Sequence, residues 1–505
     1  MRWLAPSGSV RAWGALVGAT ALVLGGVAGC HELLGLDGVS YREPVVDAGF
    51  DAGGGEGGAA GGGGSGGGEL TGQPEWARRV GDDADQGGLT VSFNSAGNVI
   101  VAGKLDGSAT FHGDPMSNAQ GSPDVMVLGF GPFGAELWGR SFGANPWVWG
   151  SSTVAGTNTI VAGRYDGALV NPGDGPLPDP SPDLVPANGD IYVVKYDDEG
   201  DFKWRLTGGA EGEDAAYSVA TWGSSDVFIA GSFSATVSFG LDELVSYGGL
   251  DAFVARVNDE SNGASFAWAQ AFGEADHDLR VRGPATAPVG DLVVLTHQVL
   301  LDDPMGTAGD LSVRRIAGDD GAPVWTVPVH FSAGLHVGAV AVDPADHVLL
   351  AATFSGTVTT PVGELLSNGA VDLLLARLKP DGTVQWVHQY PSDGSVSATC
   401  VAADGVGNVI LAGSLQGSLD LDGTVLSAPS SSHAFIAKLN SAGVLLWARS
   451  FGDEEGKAAA FGAGCAAAPT GEALLTGKMQ GTIHFGSNVL TAAEGSDLFV
   501  VKLMP

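Results

Sequence analysis

Ala216-Tyr217-Ser218-Val219-Ala220, Val227-Phe228-Ile229-Ala230-Gly231, Ala252-Phe253-Val254-Ala255-Arg256-Val257 and Ala267-Trp268-Ala269-Gln270-Ala271-Phe272 follow one another without a helical interval. Each is short, rich in β-branched, aromatic or small residues, and bounded by Gly, Ser, Asn or Asp, which is the signature of a strand. The second segment recurs as Val99-Ile100-Val101-Ala102-Gly103, Thr159-Ile160-Val161-Ala162-Gly163, Val409-Ile410-Leu411-Ala412-Gly413 and Ala473-Leu474-Leu475-Thr476-Gly477. These copies do not alternate apolar with polar, so both faces need cover from neighbouring layers.

The fourth segment carries a tryptophan that recurs at Trp76, Trp138, Trp204, Trp268, Trp325, Trp386 and Trp447, at intervals of 57 to 66 residues. A fixed period on this scale marks a repeat architecture. A glycine stands four residues before the tryptophan at Gly134, Gly200, Gly321, Gly382 and Gly443, where it reads as the turn between strands three and four. A second follows by five at Gly81, Gly143, Gly209, Gly273 and Gly452. Trp76 heads a fourth strand with no blade before it, and the last period stops after a third strand at Leu498–Leu503. One orphan strand and three remaining strands make one blade. The expected fold is therefore all-β: a single seven-bladed β-propeller of four-stranded antiparallel blades over residues 75–505, closed by the N-terminal strand joining the C-terminal blade.

The repeats resemble those of the SBBP-type β-propeller family, on Asp251–Val257, the Gly-to-Trp hairpin, the following Phe-Gly and Gly407–Gly413. That resemblance implies an exported bacterial protein, often a lipoprotein, and says little of function. The tryptophan after the turn is also similar to that of quinoprotein propellers, whose cofactor-site residues have no counterpart here. Blade four departs most, with Leu292-Val293-Val294-Leu295-Thr296-His297 lacking the Ala-Gly ending.

Arg2 and Arg11 precede an apolar stretch from Ala12 to Val27 that ends in Val27-Ala28-Gly29-Cys30. The pattern reads as a lipoprotein signal peptide over residues 1–29, with Cys30 lipidated and serving as the membrane anchor. Residues 30–74 read as the lipidated N-terminus and a Gly-rich flexible linker, too poor in apolar residues to form a core. Glu32, with no aspartate beside Cys30, points to the outer membrane; the leaflet is left open.

The formal net charge of −34 disfavours nucleic acid as a partner. The chain is expected to be a monomer with no cofactor. Acidic loops hold weak candidates for calcium at Asp82, Asp83, Asp85, Asp276 and Asp278, without a complete calcium-loop spacing. Third-strand acids at Asp124, Asp190, Asp251, Asp310, Asp372 and Asp497 and bases at Lys195, Arg256, Arg315, Arg377, Lys438 and Lys502 recur in nearly every blade, so they are read as structural, turn acceptors and strand-end contacts, in preference to one ring serving as a ligand surface. Trp147 and Trp149, in a Pro-containing loop, are the candidate binding residues, to be weighed against simple packing. A Pro-rich insertion at 171–189 could serve recognition. Cys400 and Cys465 are expected to be two buried free thiols, since neighbouring blades usually hold such positions too far apart to bridge.

No metal-site, nucleophile-elbow or phosphate-loop motif occurs, and no catalytic residue is assigned. The function expected is a non-enzymatic binding or scaffold module for a protein or glycan at the cell envelope. The alternative is an envelope hydrolase or lyase with a site at the channel mouth. Carboxylates with His or Tyr at one mouth would favour the enzyme; small apolar lining with an aromatic patch would favour binding.

Overall fold

A strand apolar on both faces is stable in water only between two other layers, and the ring supplies them. The computed structural model describes residues 71–505 apart from 83, 119–122, 144–148, 166–169, 178–188, 211, 261–262, 274–276, 301–308, 332–334, 454 and 494. Cys30, the signal segment and most of the linker lie outside the described residues. Those described form strands, turns and no helix, so no helix among them is long and apolar enough to cross a membrane.

Seven four-stranded antiparallel sheets follow in chain order, as expected. Their innermost strands are Gln86–Phe93, Trp149–Ala155, Ala215–Trp222, His277–Thr286, Leu335–Val342, Ser395–Ala403 and Ala459–Ala467. Each touches the next, and the seventh touches the first, so the ring is closed. Blade seven takes its outermost strand from the other end of the chain: Pro74–Val80 pairs with Asp497–Leu503, from Trp76 opposite Lys502 to Val80 opposite Leu498.

The core is seven cores, one per seam between blades. Between blades one and two, Ile100, Val125, Val127 and Trp138 meet Val161, Tyr165, Tyr192, Val194 and Tyr196. Between blades six and seven, Ile410, Ala412 and Ile436 meet Leu475, Phe499 and Val501. The unbroken apolar runs thus serve two seams each. At roughly 1.5–3 kcal/mol per fully buried large aliphatic or aromatic side chain, these seams are the main stabilising term.

The recurring tryptophan latches one blade to the next. Its indole nitrogen donates to the third-to-fourth turn of the following blade: Trp76 to Pro132 O at 3.0 Å, Trp138 to Asp198 O at 2.9 Å and Trp268 to Gly318 O at 3.2 Å. Gly134 and Gly200 lie flat against the rings of Trp76 and Trp138, where a Cβ would collide. Both have φ of +77°, so the same residue gives the turn its left-handed backbone and the indole its seat. Trp447 faces the blade that has chain ends where this turn would be. Gly72 takes the seat, held by a backbone bond from Gly72 N to Met504 O, and the Trp447 indole nitrogen finds no acceptor among the described residues.

The Ala-Gly ending of the second strand has a steric cause. In four described blades whose second strand ends in glycine, the inner strand carries a one-residue bulge opposite that ending, as between Ala398 and Cys400. A Cβ on Gly413 would run into Ser397 O at that bulge. In blade four the irregularity is displaced, falling between Arg282 and Ala285, and Thr296 then fits where five other blades carry glycine.

Short hairpins between the second and third strands were not anticipated. They span Ser108–Ser117, Thr236–Val245, Thr357–Leu366 and Thr482–Thr491, and in blade six the two strands run on through Asp422 and Gly423. They bury Phe111, Phe239, Val358, Ile483 and Phe485. The hairpin of blade five pairs with the last strand of blade four, Thr359 opposite His330, and so covers an edge that would otherwise be open. In blade two, the described part of the Pro-rich insertion fills this role: Val170 and Leu177 are buried, and Tyr196 Oη donates to Pro172 O at 2.8 Å.

The cysteines correct the expectation of free thiols. Cys400 and Cys465 form a disulfide between the inner strands of blades six and seven, with Cα atoms 5.6 Å apart. Inner strands converge at the axis and are therefore far closer than the outer parts of neighbouring blades. Closing a loop across 65 residues restricts the unfolded chain, so reduction is expected to cost about 2–4 kcal/mol. A lower denaturant midpoint for Cys400→Ser than for the oxidised parent checks this. Trp138 and Trp447 are equally buried, at 6% exposure. Replacing each with Phe removes the same bulk, but only Trp138 loses a hydrogen bond. Trp138→Phe should therefore be about 1 kcal/mol more destabilising than Trp447→Phe in denaturant titrations.

Candidate functional site at the mouth of the bore

The recurring charges are absorbed by the fold. Third-strand carboxylates accept from their own turns, Asp251 from Tyr247 N at 2.8 Å, Asp372 from Asn368 N at 2.8 Å and Asp497 from Ala493 N at 3.0 Å. The glycine five residues past the tryptophan faces this group; a Cβ on Gly143 or Gly273 would strike Asp124 or Asp251. The strand-end bases reach the carbonyls that the tryptophans use. Arg256 donates to Gly318 O at 3.3 Å, Arg315 to Pro380 O at 3.2 Å and Lys502 to Pro132 O at 3.3 Å.

Of the weak calcium candidates, Asp82, Asp85 and Asp278 are among the described residues. Asp82 accepts from Ser108, Asp85 from Ser496 N at 3.0 Å, and Asp278 from Leu250 N at 2.9 Å, on two different loops. Asp83, Asp276 and Trp147 lie outside the described residues. An acidic group that sequence reasoning did not single out, Asp197, Asp198 and Glu199, has ligand atoms within 4.8 Å of one another in an outer turn of blade two. Trp149 opens the inner strand of blade two, opposite Arg164 in backbone register.

That register position leads to a ring. One residue follows the Gly position of each second strand: Lys104, Arg164, Ser232, His297, Thr353, Ser414 and Lys478. Their inner-strand partners are Gly87, Trp149, Ala215, Arg280, His336, Ser397 and Phe461. All fourteen lie at one level, at the end of the bore where the fourth-to-first loops and hairpins are. The chain carries only 23 Lys and Arg against 57 Asp and Glu, yet four of these fourteen are bases and none is an acid. Lys478 Nζ lies over the Phe461 ring at 5.3 Å from its centre. Arg164 is paired with Glu213 of the adjoining loop.

One step deeper, neighbouring inner strands pack closely. In blades five to seven the wall of the bore carries Gly338, Ala339, Ala398, Gly462 and Gly464, set so close that a Cβ on Gly464 would stand 2.7 Å from Leu89 O of blade one. The seam of blades three and four differs. Tyr217 occupies the bulge of the inner strand of blade three, and Ser232 Oγ donates to its hydroxyl at 2.9 Å. Arg282 projects from the inner strand of blade four, donating to Val281 O at 3.2 Å. Loss of hydration pulls the Arg282 guanidinium below its ordinary range; Tyr217 opposes this and the Arg280 charge adds to it. Chemically, the site offers guanidinium and ammonium groups, a phenol, an imidazole and aromatic faces. It holds the His and Tyr of the enzyme pattern and, among the described residues at this level, no carboxylate, together with the small lining of the binding pattern. At the opposite mouth Trp222 is 40% exposed and donates to Pro288 O at 3.2 Å.

The mouth was readable in outline: the residue after each Ala-Gly varies while its neighbours recur. Which of those residues share a level follows only from strand register.

One loop acid titrates far from its usual range. Asp214 is fully buried, and burial pushes its carboxyl up to about 8; Ala210 N pulls it down, and Asp190 pushes it further up. The folded state thus holds a proton that the unfolded chain releases near pH 4. Stability from this group is full below about pH 4 and declines up to about pH 8. Asp214→Asn should flatten that decline, gaining on the parent as pH rises from 5 to 8 in urea titrations.

No family model matches the chain, and no curated protein matches it. Among solved structures, a protein of unknown function from Dyadobacter fermentans DSM 18053 is similar at 10% identity and a TM-score of 0.40, over 85% of this chain and 99% of that one. A polysaccharide lyase, an ulvan lyase, is similar at 11% identity and a TM-score of 0.39, over 83% of this chain and 97% of that one. Prolyl oligopeptidase B from Galerina marginata is similar at 8% identity and a TM-score of 0.31, over 81% of this chain and 56% of that one.

Proposed function

We propose that this chain is a lipid-anchored binding module of the cell envelope, an SBBP-type propeller tethered through Cys30 and a Gly-rich linker. One observation carries the reading. The side chains that break the sevenfold repeat gather at one mouth of the bore, while those that keep it are engaged in holding blades together. The mouth also lies at the loop end, whereas the chain enters the ring at Gly72–Pro74 beside the third-to-fourth turns, at the other end. A tether attached there leaves the mouth clear of the point of attachment. The disulfide fits an oxidising compartment outside the inner membrane. The ligand is a protein or a glycan of the envelope.

The test has two parts. Cys30→Ser should move the chain from the membrane to the soluble fraction. Full-length chain in detergent, immobilised and exposed to envelope extract, should retain material that Tyr217→Ala and Phe461→Ala each reduce at least tenfold, and that Phe133→Ser, on an exposed turn at the opposite end, leaves unchanged. Retention of nothing, or equal retention by all variants, overturns the binding reading.

A further inference from the structure

Resting on the lipid-anchored reading, we infer that one edge of the turn end, on blades six, seven and one, lies on the phospholipid surface that holds Cys30. Chain entry marks this edge. The backbone at Thr71 and Gly72 lies against blade six, where Arg449 donates to Thr71 O at 2.9 Å and Gly72 covers the Trp447 ring. The strand that follows meets blade one, where Trp76 donates to Pro132 O at 3.0 Å and Arg78 Nε to Gly134 O at 2.7 Å. Exposed apolar side chains stand on both sides of the entry. Phe133, at the tip of that blade-one turn, is 77% exposed. Val406 and Val444, on turns of blade six, are 78% and 56% exposed, and Leu446 beside Trp447 is exposed too.

The charge pattern selects the occupant. The chain has a net charge of −34, and its third-to-fourth turns show it: Asp197, Asp198, Glu199 and Asp201 in blade two, Asp319 and Asp320 in blade four, Asp381 in blade five. The corresponding turns beside the entry, Gly131–Ala135 in blade one and Asn440–Val444 in blade six, hold no charged residue. The ionised groups that border them are engaged. Lys502 lies 3.0 Å from Glu75 and 4.0 Å from Glu472, and Lys438 lies 3.1 Å from the buried Asp404 behind Val406. Glu136 accepts from His112 N at 2.7 Å. A basic partner would seek the acidic turns; an apolar edge without charge matches the boundary between headgroups and acyl chains. Attachment supplies the rest. Residues 31–70 join Cys30 to this edge, and a linker of that kind holds it near the membrane at an effective concentration of the order of millimolar, so a contact of weak intrinsic affinity is populated. Anionic headgroups repel the acidic turns of blades two to five, which sets the tilt. In that pose the loop-end mouth faces away from the membrane.

The experiment is hydroxyl-radical footprinting of the full lipidated chain in phosphatidylcholine vesicles, against the Cys30→Ser chain in buffer. Two aromatic reporters of similar exposure stand at opposite ends: Phe133 at the turn end, and Tyr247, 73% exposed, at the base of the blade-three hairpin. Their ratio of oxidation cancels scavenging by lipid. On vesicles the Phe133-to-Tyr247 ratio should fall at least fivefold. In Phe133→Asp/Val444→Asp the chain should still float with the vesicles, while oxidation of Leu446 relative to Tyr247 returns to its value in buffer. Val406→Asp alone should at least double the Phe133 ratio on vesicles, which guards against a double variant that misfolds. A ratio equal on vesicles and in buffer, or one unmoved in both variants, overturns the inference. So does a ratio that falls only when envelope protein is added, since a protein then covers the edge. If the parent floats and its ratio stays as in buffer, docking fails while anchoring stands; if the parent does not float, both fall. Ligand retention in detergent, where no bilayer is present, does not involve this edge.

Discussion

Every blade of this ring has two apolar faces and no layer of its own to cover them. That single constraint sets the rest. A blade can be stable only between two others, so the array has to close, and closure requires that the last seam be as well made as the first. The seam of blades seven and one is therefore built from both ends of the folded body: Trp76 and Val80 pack with Leu474, Leu498 and Val500 against Val91, Val101 and Leu128. The disulfide from Cys400 to Cys465 ties blade seven to blade six from the inside, on the far side of the same blade. The blade assembled from two pieces of chain is thus the one with an additional covalent hold.

The polar chemistry follows the apolar geometry. Indole, guanidinium and ammonium groups of one blade converge on a turn carbonyl of the next, as Trp268 and Arg256 do on Gly318 O. Turn-end charges are consequently committed to blade-to-blade contacts. At the loop end the second strands finish in residues that vary from blade to blade, and the ring tolerates that variation because it does not use them for closure. Function has room to settle where the scaffold makes no demand, and blade four, with Arg280, Arg282 and His297, is where the departures are greatest.

Much of this was legible in the residues. The tryptophan interval gave the number of blades, and Trp76 without a preceding blade gave the closure. The glycines before the tryptophans predicted turns, and Gly134 and Gly200 have the left-handed backbone that such turns need. What was not legible depended on distance between parts far apart in the chain. Nothing local to Cys400 says that Cys465 is within reach, because reach is set by how sharply the inner strands converge. The hairpins escaped notice because four-residue strands such as Thr236–Phe239 carry too little pattern, although Asp422-Gly423 was a fair turn signal. The shared level of the mouth residues escaped because His297 and Lys478 become neighbours in level only after every strand has its register.

The strand Pro74–Val80 has a mechanical consequence. It enters the ring at the turn end and runs along the outside of blade seven, antiparallel to Asp497–Leu503. Tension carried along the chain that precedes Gly72 pulls this strand lengthwise, in shear, and the rungs between the two strands lie across the direction of pull. They share the load together rather than parting one after another like a zipper opened from its end. The outermost strand of that blade is thereby fastened in the geometry that best resists a lengthwise pull.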